Sequence, residues 1–128
     1  MQLSGKVYLG TIYRLKKQGG RVRSVELARE LGYTKPSVSR AVNNFIEDGY
    51  IIREKGGVLS LTEKGLAEAK DLIKKQEIIA EFLVLTCGVD EKQAIYDAIR
   101  MEPGVSKKTM AGMKSFVKEV RAMQKEQQ

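Results

Sequence analysis

Apolar positions change period once in the first 61 residues, and the change separates three helices from a hairpin. Tyr8, Ile12 and Leu15 recur at i, i+4 and i+7, which predicts a helix over residues 7–17. Lys16 and Lys17 suit its C-terminal dipole end, and Gly19-Gly20 stops it after Gln18. Ser24 is placed to cap a second helix, Val25 to Leu31, with Val25, Leu27, Ala28 and Leu31 apolar. After the tight connection Gly32-Tyr33-Thr34 comes a third stripe: Val38, Ala41, Val42 and Phe45 at i, i+3, i+4 and i+7. Thr34 is a candidate N-cap there, Pro36 suits the first turn, and Gly49 ends the helix after Asp48.

The period then drops to two. Tyr50-Ile51-Ile52-Arg53 and Val58-Leu59-Ser60-Leu61 are β-prone runs around Gly56-Gly57, which predicts a hairpin. Two short helices joined by a Gly-containing turn and followed by a hairpin make a winged helix-turn-helix.

Helical period returns at Thr62, which caps a long helix from Glu63 to about Leu85 with the stripe Leu66, Ala69, Ile73, Gln76, Ala80, Leu83. Asp90 opens another helix, with Gln93 set for a capping box, and Pro103-Gly104 ends it. Ser106 caps a last helix striped by Met110, Met113, Phe116 or Val117, Val120 and Met123. The expected fold is therefore mostly α: a winged helix over 1–62, then a three-helix dimerisation domain over 63–128. Three amphipathic helices have too little to pack on within one chain, so burial against a second copy is expected.

Charge sharpens the first half. Residues 1–61 hold 11 Lys+Arg against 5 Asp+Glu, a net +6, while residues 62–128 hold 12 against 11, a net +1. A basic half on a near-neutral one is the footprint of a nucleic-acid binder. The outer face of the third helix is short, polar and cationic, with no acidic residue before Glu47. It reads as a recognition helix. Arg40 and Lys35 are the candidates for guanine and Asn43 for adenine. Ser37 and Ser39 on the helix, with Arg53 and Lys55 near the wing tip, are the candidates for phosphate, and Pro36 lies among them. For each of these the competing reading is a solvated helix face or hairpin tip.

Composition closes off other classes. No histidine is present, which excludes Ser-His-Asp and Cys-His catalysis. Neither glycine pair makes a phosphate loop. An enzyme is not expected; a winged helix serving only as a protein-interaction module is the runner-up. No apolar run approaches the roughly 18–20 residues of a membrane span, and no apolar leader is evident, so a cytoplasmic location is expected. The single cysteine, Cys87, has no intrachain partner and is expected to be a small buried hydrophobe at a helix end.

The segments Val38-Ser39-Arg40-Ala41-Val42, Asp48-Gly49-Tyr50-Ile51 and Leu61-Thr62-Glu63-Lys64-Gly65 resemble the iron- and manganese-dependent repressor family (diphtheria-toxin-repressor-like regulators). Tyr8-Leu9 and Ile12-Tyr13 match its first helix. Glu81-Phe82-Leu83, Gly88-Val89-Asp90-Glu91 and Asp97-Ala98-Ile99-Arg100-Met101-Glu102 match its second domain. The resemblance covers residues 6–120 and implies a homodimer that takes up divalent metal and then binds operator DNA. Carried over, its ligand positions fall on Val7, Gly10, Gln76, Ile99, Glu102 and Pro103, of which only Glu102 ligates well. The expectation from these residues is no metal cofactor: DNA binding without a metal, or under another effector. Aliphatic side chains worth roughly 1.5–3 kcal/mol each when buried would then fix what the ion fixes in the family. A site using Glu77, Glu81, Asp97 and Glu102 is the alternative.

Overall fold

The structure is a computed structural model and describes residues 3–127; residues 1, 2 and 128, at the ends of the two expected domains, lie outside it. The chain folds as two compact units, residues 1–72 and 73–128. The passage between them falls inside one long helix, residues 63–87.

In the first unit, α1 (Leu3–Lys17), α2 (Ser24–Leu31) and α3 (Lys35–Glu47) precede β1 (Ile51–Arg53) and β2 (Leu59–Leu61). The strands pair antiparallel, with Ile51 opposite Leu61 and Arg53 opposite Leu59. A single 3-10 turn over Lys55–Gly57 joins them, with Gly56 and Gly57 both at positive φ. The Leu59 N–H also donates to the Val22 carbonyl at 2.7 Å, which ties the α1–α2 connection to the wing. Leu9, Ile12, Leu27, Val38, Val42 and Leu59 are fully buried and form the core. The first ten residues of α4 (Glu63–Cys87) close this unit through Ala69 and Leu72.

The second unit holds the rest of α4, then α5 (Glu91–Met101) and α6 (Lys107–Glu126). Asp90 caps α5, accepting the Gln93 N–H at 2.7 Å, and Ser106 caps α6, accepting the Thr109 N–H at 3.1 Å. Ile79, Ala94, Ala98 and Val117 are buried, and Phe82 meets Phe116 edge-to-face at 5.4 Å.

Four local expectations change. Ser24 lies inside α2; Arg23 is its N-cap, with the Arg23 N–H donating to Glu26 Oε2 at 3.1 Å. The Gln93 side chain turns forward to Asp97 (3.1 Å) instead of back to the cap. The buried row of α4 is Ala69, Leu72, Gln76 and Ile79, so Leu72 and Ile79 replace Ile73 and Ala80. Cys87 is exposed: it is the last residue of α4, with Sγ 3.5 Å from Thr86 Oγ1.

Candidate nucleic-acid interface

The basic face of α3 exists because its opposite face is used up. Val38 and Val42 are fully buried and Phe45 is half-buried, so helical geometry turns Lys35, Ser39, Arg40 and Asn43 to solvent. Pro36 is exposed beside them. The Thr34 side chain caps the helix by accepting the Ser37 N–H at 3.3 Å. Its hydroxyl also donates to Ser37 Oγ at 2.8 Å, so the Ser37 hydroxyl is engaged in the cap.

The other end of α3 is anchored by the Leu61–Gly65 segment. Thr62 Oγ1 donates to the Gly49 carbonyl at 2.6 Å and accepts the Gly65 N–H at 3.1 Å. The Thr62 N–H donates to the Tyr50 carbonyl, 3.1 Å away. Lys64 Nζ donates to the Asp48 carbonyl at 3.1 Å and lies 4.2 Å from the centre of the Tyr50 ring. A cation there complements the C-terminal end of the helix dipole. Gly65 is buried because the Tyr50 carbonyl oxygen fills the space of a Cβ: one would lie 2.1 Å from it. The Thr-Glu-Lys-Gly sequence is thus a clamp on the end of α3.

Aromatic rings brace the same helix from behind. Tyr33, Tyr8, Phe45 and Tyr50 form a chain with successive centroid separations of 5.8, 5.7 and 6.1 Å. Burial, with Tyr33 nearby, raises the Tyr8 phenol above its ordinary value. Farther along α1, burial lowers the Arg14 guanidinium, partly opposed by Glu30.

On the wing, Lys55 is exposed in the turn. Arg53, expected to reach outward, instead turns to α3, where its Nη2 donates to Asn43 Oδ1 at 3.2 Å. This contact joins residues of two elements, and neither local pattern signals it. Lys64 and Gly65 are the residues that the periodicity missed; a glycine in the first turn of a helix was the available signal.

The positions implied to hold metal do not supply a ligand set. In the first unit, Gly10 is buried, and a Cβ there would meet Leu72 Cδ2 at 2.8 Å; the leucine occupies the space of a longer side chain. Val7 offers only its carbonyl, which accepts the Thr11 hydroxyl at 2.7 Å. In the second unit Gln76 and Glu102 are buried, while Ile99 and Pro103 carry no donor. Among the described residues no group of three or more His, Cys, Asp or Glu is arranged to hold a metal ion, which includes the carboxylates considered as an alternative site. No helix among them is long and apolar enough to cross a membrane.

Comparison with known proteins places both halves. Residues 4–59 match the iron dependent repressor N-terminal DNA binding domain, and residues 62–126 match the iron dependent repressor metal binding and dimerisation domain. An HTH-type transcriptional regulator of Methanocaldococcus jannaschii is 33% identical over 118 residues, 91% of this chain and 94% of its own. The HTH-type transcriptional regulator MntR of Lysinibacillus sphaericus is 32% identical over 99 residues, 77% of this chain and 70% of its own. A solved manganese-dependent transcriptional repressor in complex with manganese superposes with a TM-score of 0.79 at 22% identity, over 88% of this chain and 52% of that one. At that identity the likeness is one of fold, and the present chain spans about half the length of the solved one. The expectation of no metal cofactor is overturned here: the second half matches a metal-binding domain, and a manganese-dependent repressor shares the fold. The six carried-over positions nevertheless do not fit that metal. The family is one of transcriptional repressors and not of enzymes, and with both its DNA-binding and its metal-binding and dimerisation models matched, the chain belongs to the iron-dependent repressor family.

Proposed function

We propose that the protein is a homodimeric transcriptional repressor that binds specific double-stranded operator DNA in the cytoplasm. The observation that carries this reading is the outer face of α3, where Lys35, Ser39, Arg40 and Asn43 are exposed on a helix fixed at both ends. A rigid cationic helix is suited to the major groove, where Arg40 and Lys35 take guanine O6 and N7. Ser37, Ser39 and Lys55 take phosphates and set the register, with Pro36 exposed at the helix entry.

The homodimer is supported from the second unit. Leu85, Tyr96, Met101, Phe116 and Met123 are exposed there, between 36% and 56% accessible, on helices that carry the family's dimerisation match. Two-fold symmetry then presents two copies of α3 to a palindromic site.

A salt series on a duplex enriched from a random pool tests the reading. Phosphate contacts from a dimer predict that affinity falls roughly a thousandfold between about 50 and 200 mM salt. Salt-independent binding would favour the protein-interaction reading, and a chain that stays monomeric at binding concentrations would sink the dimer.

A further inference from the structure

Resting on that operator-binding reading, we propose that Asn43 and Arg53 read one base together, as a donor-only unit that selects guanine. Arg53 is the last residue of β1 and pairs with Leu59 across the hairpin. Strand alternation puts it on the face of buried Ile51, with Ile52, 51% accessible, on the other. Its side chain is therefore directed at α3, and Nη2 donates to Asn43 Oδ1 at 3.2 Å. Both side chains stay exposed, on the side of α3 that carries Ser39 and Arg40.

The contact decides what Asn43 offers. An asparagine reads adenine by accepting from N6–H2 through its oxygen while donating to N7. Here the oxygen already accepts from a cation, which fills a lone pair and places positive charge beside it. What remains unused is the Nδ2–H2 group and the other N–H bonds of the guanidinium, all donors. The second Oδ1 lone pair lies beside the guanidinium charge and is weakened as an acceptor. In the major groove guanine presents two adjacent acceptors, N7 and O6, whereas adenine and cytosine each present an amino donor and thymine a single acceptor. A donor-only pair thus favours guanine, opposite to the adenine preference expected of Asn43 alone. Arg53 acts as a positioning residue for Asn43 as well as contributing donors.

Selection from a random duplex pool with the full chain, its Asn43→Ala and Arg53→Met variants and an Arg40→Ala control tests this. The wild type is expected to enrich guanine at one position per half-site, with about tenfold discrimination against adenine. Asn43→Ala flattens that position alone. Arg53→Met, which frees Oδ1, moves its preference from guanine to adenine. An Arg53→Met profile identical to wild type at uniformly lower affinity overturns the proposal and makes Arg53 a phosphate contact. Wild-type adenine preference at the Asn43-sensitive position overturns it as well. In both of those cases operator binding stands, because the wild type and the altered Arg40→Ala profile still show sequence selection. No enrichment by the wild type overturns both readings.

Discussion

Gly65→Ala sets two physical effects against each other, and the structure predicts which prevails. Alanine is favoured over glycine within a helix by roughly 1 kcal/mol. At this position, however, the added Cβ would lie 2.1 Å from the Tyr50 carbonyl oxygen and 3.4 Å from Leu61 Cδ2. The oxygen is backbone, so relief requires separating the start of α4 from the end of α3. That movement weakens the bonds from Thr62 to the Tyr50 and Gly49 carbonyls, about 0.5–1.5 kcal/mol each. It also loosens Lys64 over the Tyr50 ring, about 0.5–1 kcal/mol at an exposed site. The losses exceed the propensity gain, for a net destabilisation of about 2 kcal/mol. For a chain of this length that lowers the thermal midpoint by roughly 6–10 °C. Thermal unfolding followed by circular dichroism measures it. A midpoint equal to or above that of the wild type would refute the clamp, because helix propensity alone predicts a rise.

Arg40→Ala removes an exposed base-reading candidate and should weaken operator binding by roughly 1–3 kcal/mol while the thermal midpoint stays put; unchanged affinity in an anisotropy titration would reject the docking. Tyr8 carries a pH signature. Its pKa is raised in the folded protein above the ordinary 10.0, so folding disfavours tyrosinate. The stability tied to the neutral phenol is fully present below pH 10 and is lost as pH rises through the folded value. Denaturant midpoints across that alkaline range should fall less steeply in Tyr8→Phe than in the wild type, and equal slopes would contradict it.

The helix-turn-helix and three of the helix caps were legible because they are local. Thr34, Asp90 and Ser106 each lie directly before an apolar stripe, and each side chain accepts the expected N–H. Ser24 failed for an equally local reason: Glu26 satisfies the Arg23 N–H, which moves the cap back one residue. The α4 stripe was ambiguous because Ile73, Ile78, Ile79 and Ala80 offer apolar neighbours on several faces, and packing chose Leu72 and Ile79. At the interface, the exposure of Lys35 and Arg40 followed from helical period. The Asn43–Arg53 bond did not, because it depends on where the hairpin lands against α3. The role of Gly65 was hidden in the same way, since its reason is a carbonyl oxygen fifteen residues earlier, on Tyr50.

The aromatic chain behind α3 gives the molecule a built-in reporter. The protein has no tryptophan and five tyrosines, so tyrosine dominates its near-ultraviolet signal. Tyr8, Tyr13, Tyr33 and Tyr50 all lie within the first compact unit, leaving Tyr96 alone in the second. Three of the four belong to the ring chain that braces the recognition helix. Near-ultraviolet dichroism and tyrosine emission therefore follow the order of the DNA-facing unit almost selectively. The far-ultraviolet signal follows the helices of both units, so comparing the two spectra tells loosening around α3 apart from unfolding of the whole chain, without any added label.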